Sequence, residues 1–166
     1  EEKIRRHFLS DSTIESVFIK KKYPDTLVIT IIKREEAGMI QAKNGVFKVD
    51  TLGFIYDTAS SSSARPVIHL EDKELNLGNN ITHKTMLIAI QSSFMGKRNE
   101  IRFVDVYEGE NESIRLILDN GVAVIIGINR SAEEIVSSLQ TLLKNITIEG
   151  KTVKEIDFRF DKPFIS

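Results

Sequence analysis

The apolar positions along this chain change period several times, and each change marks an element. Glu1 to Leu9 places Ile4 and Phe8 four residues apart, the spacing of a short amphipathic helix, and Ser10-Asp11-Ser12 ends it. Ile14 to Lys22 alternates loosely and predicts a strand. Pro24-Asp25 predicts a turn, because Pro24 fixes its φ and Asp25 can bond its own backbone. Leu27 to Lys33 is rich in β-branched residues and predicts the return strand of a hairpin. Ala37–Gln41 and Val46–Val49 flank Asn44-Gly45, a two-residue hairpin signal. Asp50-Thr51-Leu52-Gly53 is a tight turn in which Gly53 supplies positive φ, and Phe54 to Tyr56 continues the sheet.

A serine run, Ser60 to Ser63, reads as a flexible surface loop. Val67 to Leu70 is a short strand, and Leu75 to Asn80 a loop. Thr82 to Met95 predicts a helix with Met86, Leu87, Ile90 and Phe94 on one face and Gly96 as its stop. Ile101 to Tyr107 is a strand, and Gly109 to Glu112 a turn. Ile114–Leu118 and Val122–Ile128 are strands joined through Asp119-Asn120-Gly121, a type I′ hairpin signal. Ser131-x-x-Glu134 is a capping box opening a helix over 131–144, with Ile135, Leu139, Leu142 and Leu143 buried. Val153 to Phe160 predicts a closing strand. At period two, Ile156, Phe158 and Phe160 share one face, and Asp157, Arg159 and Asp161 the other. The sum is an α+β chain, a helix and hairpin followed by a mostly antiparallel sheet packed with two helices.

Composition adds bounds. The chain has 166 residues, 41% hydrophobic and 28% charged, which suits a globular protein of one domain or one domain plus part of another. Its 23 Lys+Arg and 24 Asp+Glu give a net charge of -1, so no basic excess points to nucleic acid. It has no cysteine, which excludes disulfides, thiolate metal sites and a cysteine nucleophile. No apolar run approaches the roughly 18–20 residues of a membrane span.

Candidate chemistry is sparse. His7, His69 and His83 fit no zinc spacing and read as structural. The carboxylate pairs Glu35-Glu36, Glu71-Asp72 and Glu133-Glu134 are adjacent residues, not two acids facing across a cleft. Gly-rich phosphate loops and nucleophile elbows are missing. Neither a cofactor nor a metal is expected. The remaining candidate is a protein-binding edge, the closing strand, since an edge strand offers unpaired N–H and C=O groups to a partner's strand.

Taken together, Tyr23-Pro24-Asp25-Thr26-Leu27, Asp50-Thr51-Leu52-Gly53-Phe54, the hairpin Ile114 to Val122 and the strand Glu155 to Asp161 give the chain a likeness. It resembles the extracytoplasmic part of the bacterial division proteins FtsQ and DivIB. The likeness covers most of the chain except residues 57–81, and departs at Phe160, where the family usually carries Tyr, and at Lys162-Pro163. It implies that residues 1–34 are the C-terminal part of a POTRA domain and residues 35–166 the β domain. It also implies a non-enzymatic divisome scaffold that links early and late division proteins at the septum. The partners would be FtsB or DivIC and FtsL. The chain would be an extracytoplasmic fragment, anchored in the cell membrane by a single N-terminal span that this sequence lacks. Docking would fall on Phe158, Arg159, Phe160, Asp161 and Lys162, with Arg159 meeting a partner carboxylate. The alternative is a POTRA-bearing component of an outer-membrane assembly or secretion system that binds client polypeptides.

Overall fold

The computed structural model describes residues 1–60 and 66–166, so Ser61 to Ser63 of the serine run lie outside the described residues. The chain forms two compact units, Glu1–Glu35 and Glu36–Ser166.

The first unit holds α1 (Glu2–Leu9), β1 (Ile14–Lys22) and β2 (Thr26–Lys33). The strands pair antiparallel, Lys22 opposite Thr26, around a Tyr23-Pro24-Asp25 turn. Asp11 starts β1 by accepting the Thr13 N–H at 2.9 Å and the Thr13 hydroxyl at 2.7 Å. Ile14 and Val17 are buried, but no residue of α1 is, and every residue of β2 is exposed. Leu27, Val28, Ile29, Ile31 and Ile32 therefore all reach solvent from one strand. The β-branched run that marks β2 in sequence forms a strand without being buried.

Among its described residues the second unit is a nine-stranded sheet with two helices. In chain order it holds β3 (Glu36–Ala42), β4 (Gly45–Asp50), β5 (Ile55–Thr58), β6 (Val67–Leu70), α2 (Lys84–Arg98), β7 (Phe103–Glu108), β8 (Ile114–Leu118), β9 (Ala123–Ile126), α3 (Ala132–Glu149), β10 (Glu155–Asp157) and β11 (Phe164–Ile165). Across the sheet the order is β11-β10-β9-β8-β7-β6-β3-β4-β5. Pairing is antiparallel except at β3/β6, β6/β7 and β9/β10. Two of these parallel pairs span a helix: α2 connects β6 to β7, and α3 connects β9 to β10. The α+β class with a mostly antiparallel sheet is thus the architecture found.

One face of this sheet is the core. In register across it stand Ile156, Val124, Leu116, Val106, Ile68, Ile40 and Phe47. They share one buried cluster with Ile88, Ala89 and Ile90 of α2 and Ile135, Val136 and Leu139 of α3. The adjacent row on the opposite face reads Asp157, Ile125, Arg115, Tyr107, His69, Gln41 and Val46. A period of two thus sorts one apolar row from one largely polar row.

Several local expectations change. Gly96 does not stop α2. It sits inside the helix and is buried, because a Cβ there would lie 2.8 Å from the Phe103 ring and 3.0 Å from the Ile101 carbonyl. With Ala89, Ser92 and Ser93 it makes the small-sided stripe that lets α2 approach its neighbours. α2 ends at Arg98 instead, followed by Asn99 and by Glu100 at φ 62°. The hairpin expected at Asn44-Gly45 forms, with its two-residue turn one position earlier, whereas Asn120-Gly121 does not form a type I′ turn. Between β3 and β4 the turn residues are Lys43-Asn44, with Ala42 opposite Gly45. The Asn44 amide is engaged elsewhere, donating to Leu75 O at 2.7 Å and accepting from Leu75 N–H at 3.0 Å. Between β8 and β9 three residues, Asp119 to Gly121, separate Leu118 from Val122, whose O accepts the Leu118 N–H, and of these only Gly121 takes positive φ. At Gly53 the expectation holds. Its φ is 80°, and Asp50 Oδ1 accepts the flanking N–H groups of Leu52 and Phe54 at 2.9 Å each.

The capping box forms as read. Glu134 N–H donates to Ser131 Oγ at 3.3 Å, and Ser131 N–H donates to Glu134 Oε2 at 2.8 Å. The helix runs past residue 144 to Glu149, where Gly150 closes it in the left-handed region at φ 63°. Ser131→Ala is expected to lower the unfolding free energy by about 1 kcal/mol, checked by urea denaturation, since it orphans an N–H of the first turn.

Candidate functional site: the closing edge of the sheet

The predicted closing strand over Val153–Phe160 is shorter than its sequence pattern. Only Glu155–Asp157 is strand, paired in parallel with β9. Nor is β10 the edge, because β11 pairs antiparallel along its outer side, Ile165 opposite Ile156 and Phe164 opposite Asp157. Phe158 still donates its N–H to Ile125 O at 2.8 Å, and then the chain leaves the sheet.

The side chains explain the departure. Asp157 is buried and turns its carboxylate to the next residues: Oδ1 accepts the Arg159 backbone N–H at 2.9 Å. The Arg159 guanidinium folds back onto the same group, Nε at 3.0 Å from both oxygens and Nη2 at 2.6 Å from Oδ2. These bonds hold the Asp157 carboxyl below its usual range, against the opposing effect of burial. From the β9–α3 turn, Arg130 Nη2 donates to Phe160 O at 3.1 Å and to Asp161 O, and Asn129 donates to Arg159 O at 3.4 Å. A side-chain scaffold thus replaces the strand ladder from Arg159 onward.

This sorts the five residues expected to dock a partner. Phe158 is 1% exposed, belongs to the core cluster and lies under the Arg130 guanidinium at 5.7 Å, so it presents no docking surface. Arg159 is committed to Asp157 within the chain, which removes the expected role of pairing a partner's carboxylate. Phe160 does not share a buried face with Phe158. It is 60% exposed, with Arg159 above its ring at 5.8 Å. Asp161 and Lys162 are exposed. The sequence reading missed the two residues that complete the corner, Phe164 at 65% and Ile165 at 40% exposure.

No protein-family model matches this chain, and no curated protein matches it.

A second cluster lies on the polar face of the sheet and was read from sequence only as a structural histidine. His69 of β6 places Nδ1 3.0 Å from Glu71 Oε1 and Nε2 2.9 Å from Asp105 Oδ1 of β7. Its ring stacks on Tyr107 at 4.4 Å between centroids and 5° between planes. Burial pulls the imidazole pKa down, but the hydrogen bonds to Asp105 and Glu71 act upward and together prevail, leaving it raised. Protonated, the ring donates from both nitrogens to carboxylates. Both nitrogens are engaged, so the arrangement has the form of a structural clamp between β6 and the residues around it. Because the folded state holds this proton more tightly, the clamp's contribution is complete below the unfolded value of about 6.5 and is lost as pH rises through the folded value. Denaturation across this range is expected to show stability falling with pH in the native chain, with a shallower slope in His69→Gln. Equal slopes would remove the clamp. Among the described residues no group of three or more His, Cys, Asp or Glu is arranged to hold a metal ion.

An open groove of about 420 Å³ lies between the C-terminal half of α3 and the segment leading to β10, lined by Val122, Leu143, Ile146, Thr147, Lys151 and Val153 among others. Its lining mixes apolar side chains with threonine hydroxyls, Asn120 and one cation, Lys151, and it brings no acid–base pair together.

Proposed function

We propose that this chain is a non-enzymatic protein-binding scaffold of the FtsQ/DivIB kind, acting at the extracytoplasmic side of the cell membrane in division, and that its partner docks at the closing edge of the sheet. One observation carries the docking reading. Phe164 and Ile165 are exposed on the edge strand β11, and Phe160, in the segment that leads from β10 to it, is exposed as well, next in sequence to exposed Asp161 and Lys162. An exposed apolar cluster with a polar rim at a strand edge suits a partner that adds a strand and buries anchors. The assignment to division rests on the motif order in the sequence, with FtsB or DivIC and FtsL as the partners it implies.

The test is calorimetric titration of this chain with the extracytoplasmic segments of FtsB or DivIC and of FtsL. Saturable one-to-one binding is the expected result. Absence of binding to either segment, alone or together, removes the division reading.

One observation favours the second reading, a POTRA-bearing component that holds client polypeptides. The exposed strand β2 carries five apolar residues and would suit extended, sequence-diverse chains. Binding of unfolded client chains that Ile29→Lys and Ile31→Lys abolish would favour it.

A further inference from the structure

The edge of β10 is occupied by β11, and the pairing between them is short. β11 has two residues, Phe164 and Ile165. Beyond its cross-strand pairing, Ser166 carries the attachment. Its carbonyl accepts from Lys154 N–H at 2.8 Å and Glu155 N–H at 3.1 Å, and its N–H donates to Glu155 O at 3.0 Å. Both side chains of β11 remain well exposed, so little apolar burial holds it down. Hydrogen bonds at an exposed edge contribute little net, and each ordered residue loses backbone entropy of comparable size. The preceding segment is anchored separately: Arg130 and Asn129 hold the carbonyls of Arg159, Phe160 and Asp161. Pro163–Ser166 can therefore peel away without disturbing Phe158 or the core.

We propose that residues 163–166 are a resident strand that a partner's strand replaces, so that docking occurs on β10 itself after β11 leaves. This rests on the docking reading above and specifies its mode. The resident strand also defines what the edge accepts. The incoming segment runs antiparallel to β10 with an aliphatic side chain opposite Ile156, where Ile165 now stands, and an apolar or aromatic one opposite Asp157, where Phe164 stands. An incoming strand satisfies Lys154 and Glu155 as Ser166 does and adds side-chain contacts of its own.

Three forms of the full chain test this. Glu155→Cys with Ser166→Cys, in a protein with no other cysteine, locks the resident strand when oxidised and frees it when reduced. Phe164→Pro with Ser166→Pro removes ladder donors and releases it. The probe is an acetylated peptide copying residues 161–166, titrated to millimolar concentration and followed by NMR shifts of Lys154 and Glu155. The tethered strand competes at an effective concentration of order mM. The released form is expected to bind the peptide at least about 10-fold more tightly than the native chain, and the oxidised form not to bind. Peptide binding by the oxidised form equal to that of its reduced form overturns the proposal, as does no binding by the released form. The FtsB or DivIC segment is then titrated against the same forms. Peptide results as expected with no binding of that segment to any form retain the replaceable strand and remove the division partner. Binding of that segment equally to the oxidised and reduced forms places docking outside β11 and overturns replacement.

Discussion

Replacing Phe158 with Ala is expected to destabilise the protein by about 3–5 kcal/mol, while the same truncation at Phe160 changes stability by less than about 0.5 kcal/mol. The two residues are of one type, two positions apart, and read as equivalent in sequence. Phe158 is 1% exposed within the core cluster, so its removal leaves a cavity in that cluster and strips the Arg130 guanidinium of the ring beneath it. Phe160 is 60% exposed and loses little on truncation. Urea denaturation of both variants separates the two cases. Equal losses would mean that the chain stays in the sheet through residue 160.

The second large effect concerns binding. Phe160→Lys is expected to weaken the complex with the FtsB or DivIC segment by about 2 kcal/mol or more, roughly 30-fold, with the unfolding midpoint unchanged. Apolar anchors at the centre of a docking patch carry most of its energy, and Phe160 keeps its place whether β11 stays or leaves, because its carbonyl is held by Arg130. Phe18→Lys, at an equally exposed position of β1 in the first unit, serves as the control and is expected to leave affinity unchanged. Equal losses from both variants would indicate a general charge effect, not a local anchor.

What could be read from the chain alone was what depends on neighbours in sequence. Ser131 and Glu134 are three apart and satisfy each other's backbone, so the start of α3 was legible, and so was the Asp50-to-Gly53 turn, where one carboxylate and one positive φ suffice. β1, β6 and β8 fall where alternation and turn residues put them. The errors arose where a distant group decides the outcome. Gly96 looked like a helix stop because its reason, the Phe103 ring and the Ile101 carbonyl, lies outside the helix. The period-two pattern of Ile156, Phe158 and Phe160 runs on past Asp157, but Arg159 turning back on that carboxylate and Arg130 taking the next carbonyls end the strand. Two-residue β11 is shorter than any periodicity can register. The His69 clamp joins groups 36 residues apart, Asp105 to His69, which no local motif announces. At the candidate site the sequence pattern carried Phe158, Arg159 and Phe160 along one strand, whereas Phe158 is in the core, Arg159 is paired with Asp157 and Phe160 is exposed beyond the strand's end; the exposure of Phe164 and Ile165 had no local signal.

Docking of a partner strand at the outer edge of β10 is what the proposed function requires. Hydrogen–deuterium exchange of the full chain, with and without the FtsB or DivIC extracytoplasmic segment, tests it most directly. The predicted result is slowed exchange over residues 154–160 on addition of the segment, with residues 26–33 unchanged. Protection confined to residues 26–33, with 154–160 unaffected in a complex that demonstrably forms, would contradict it.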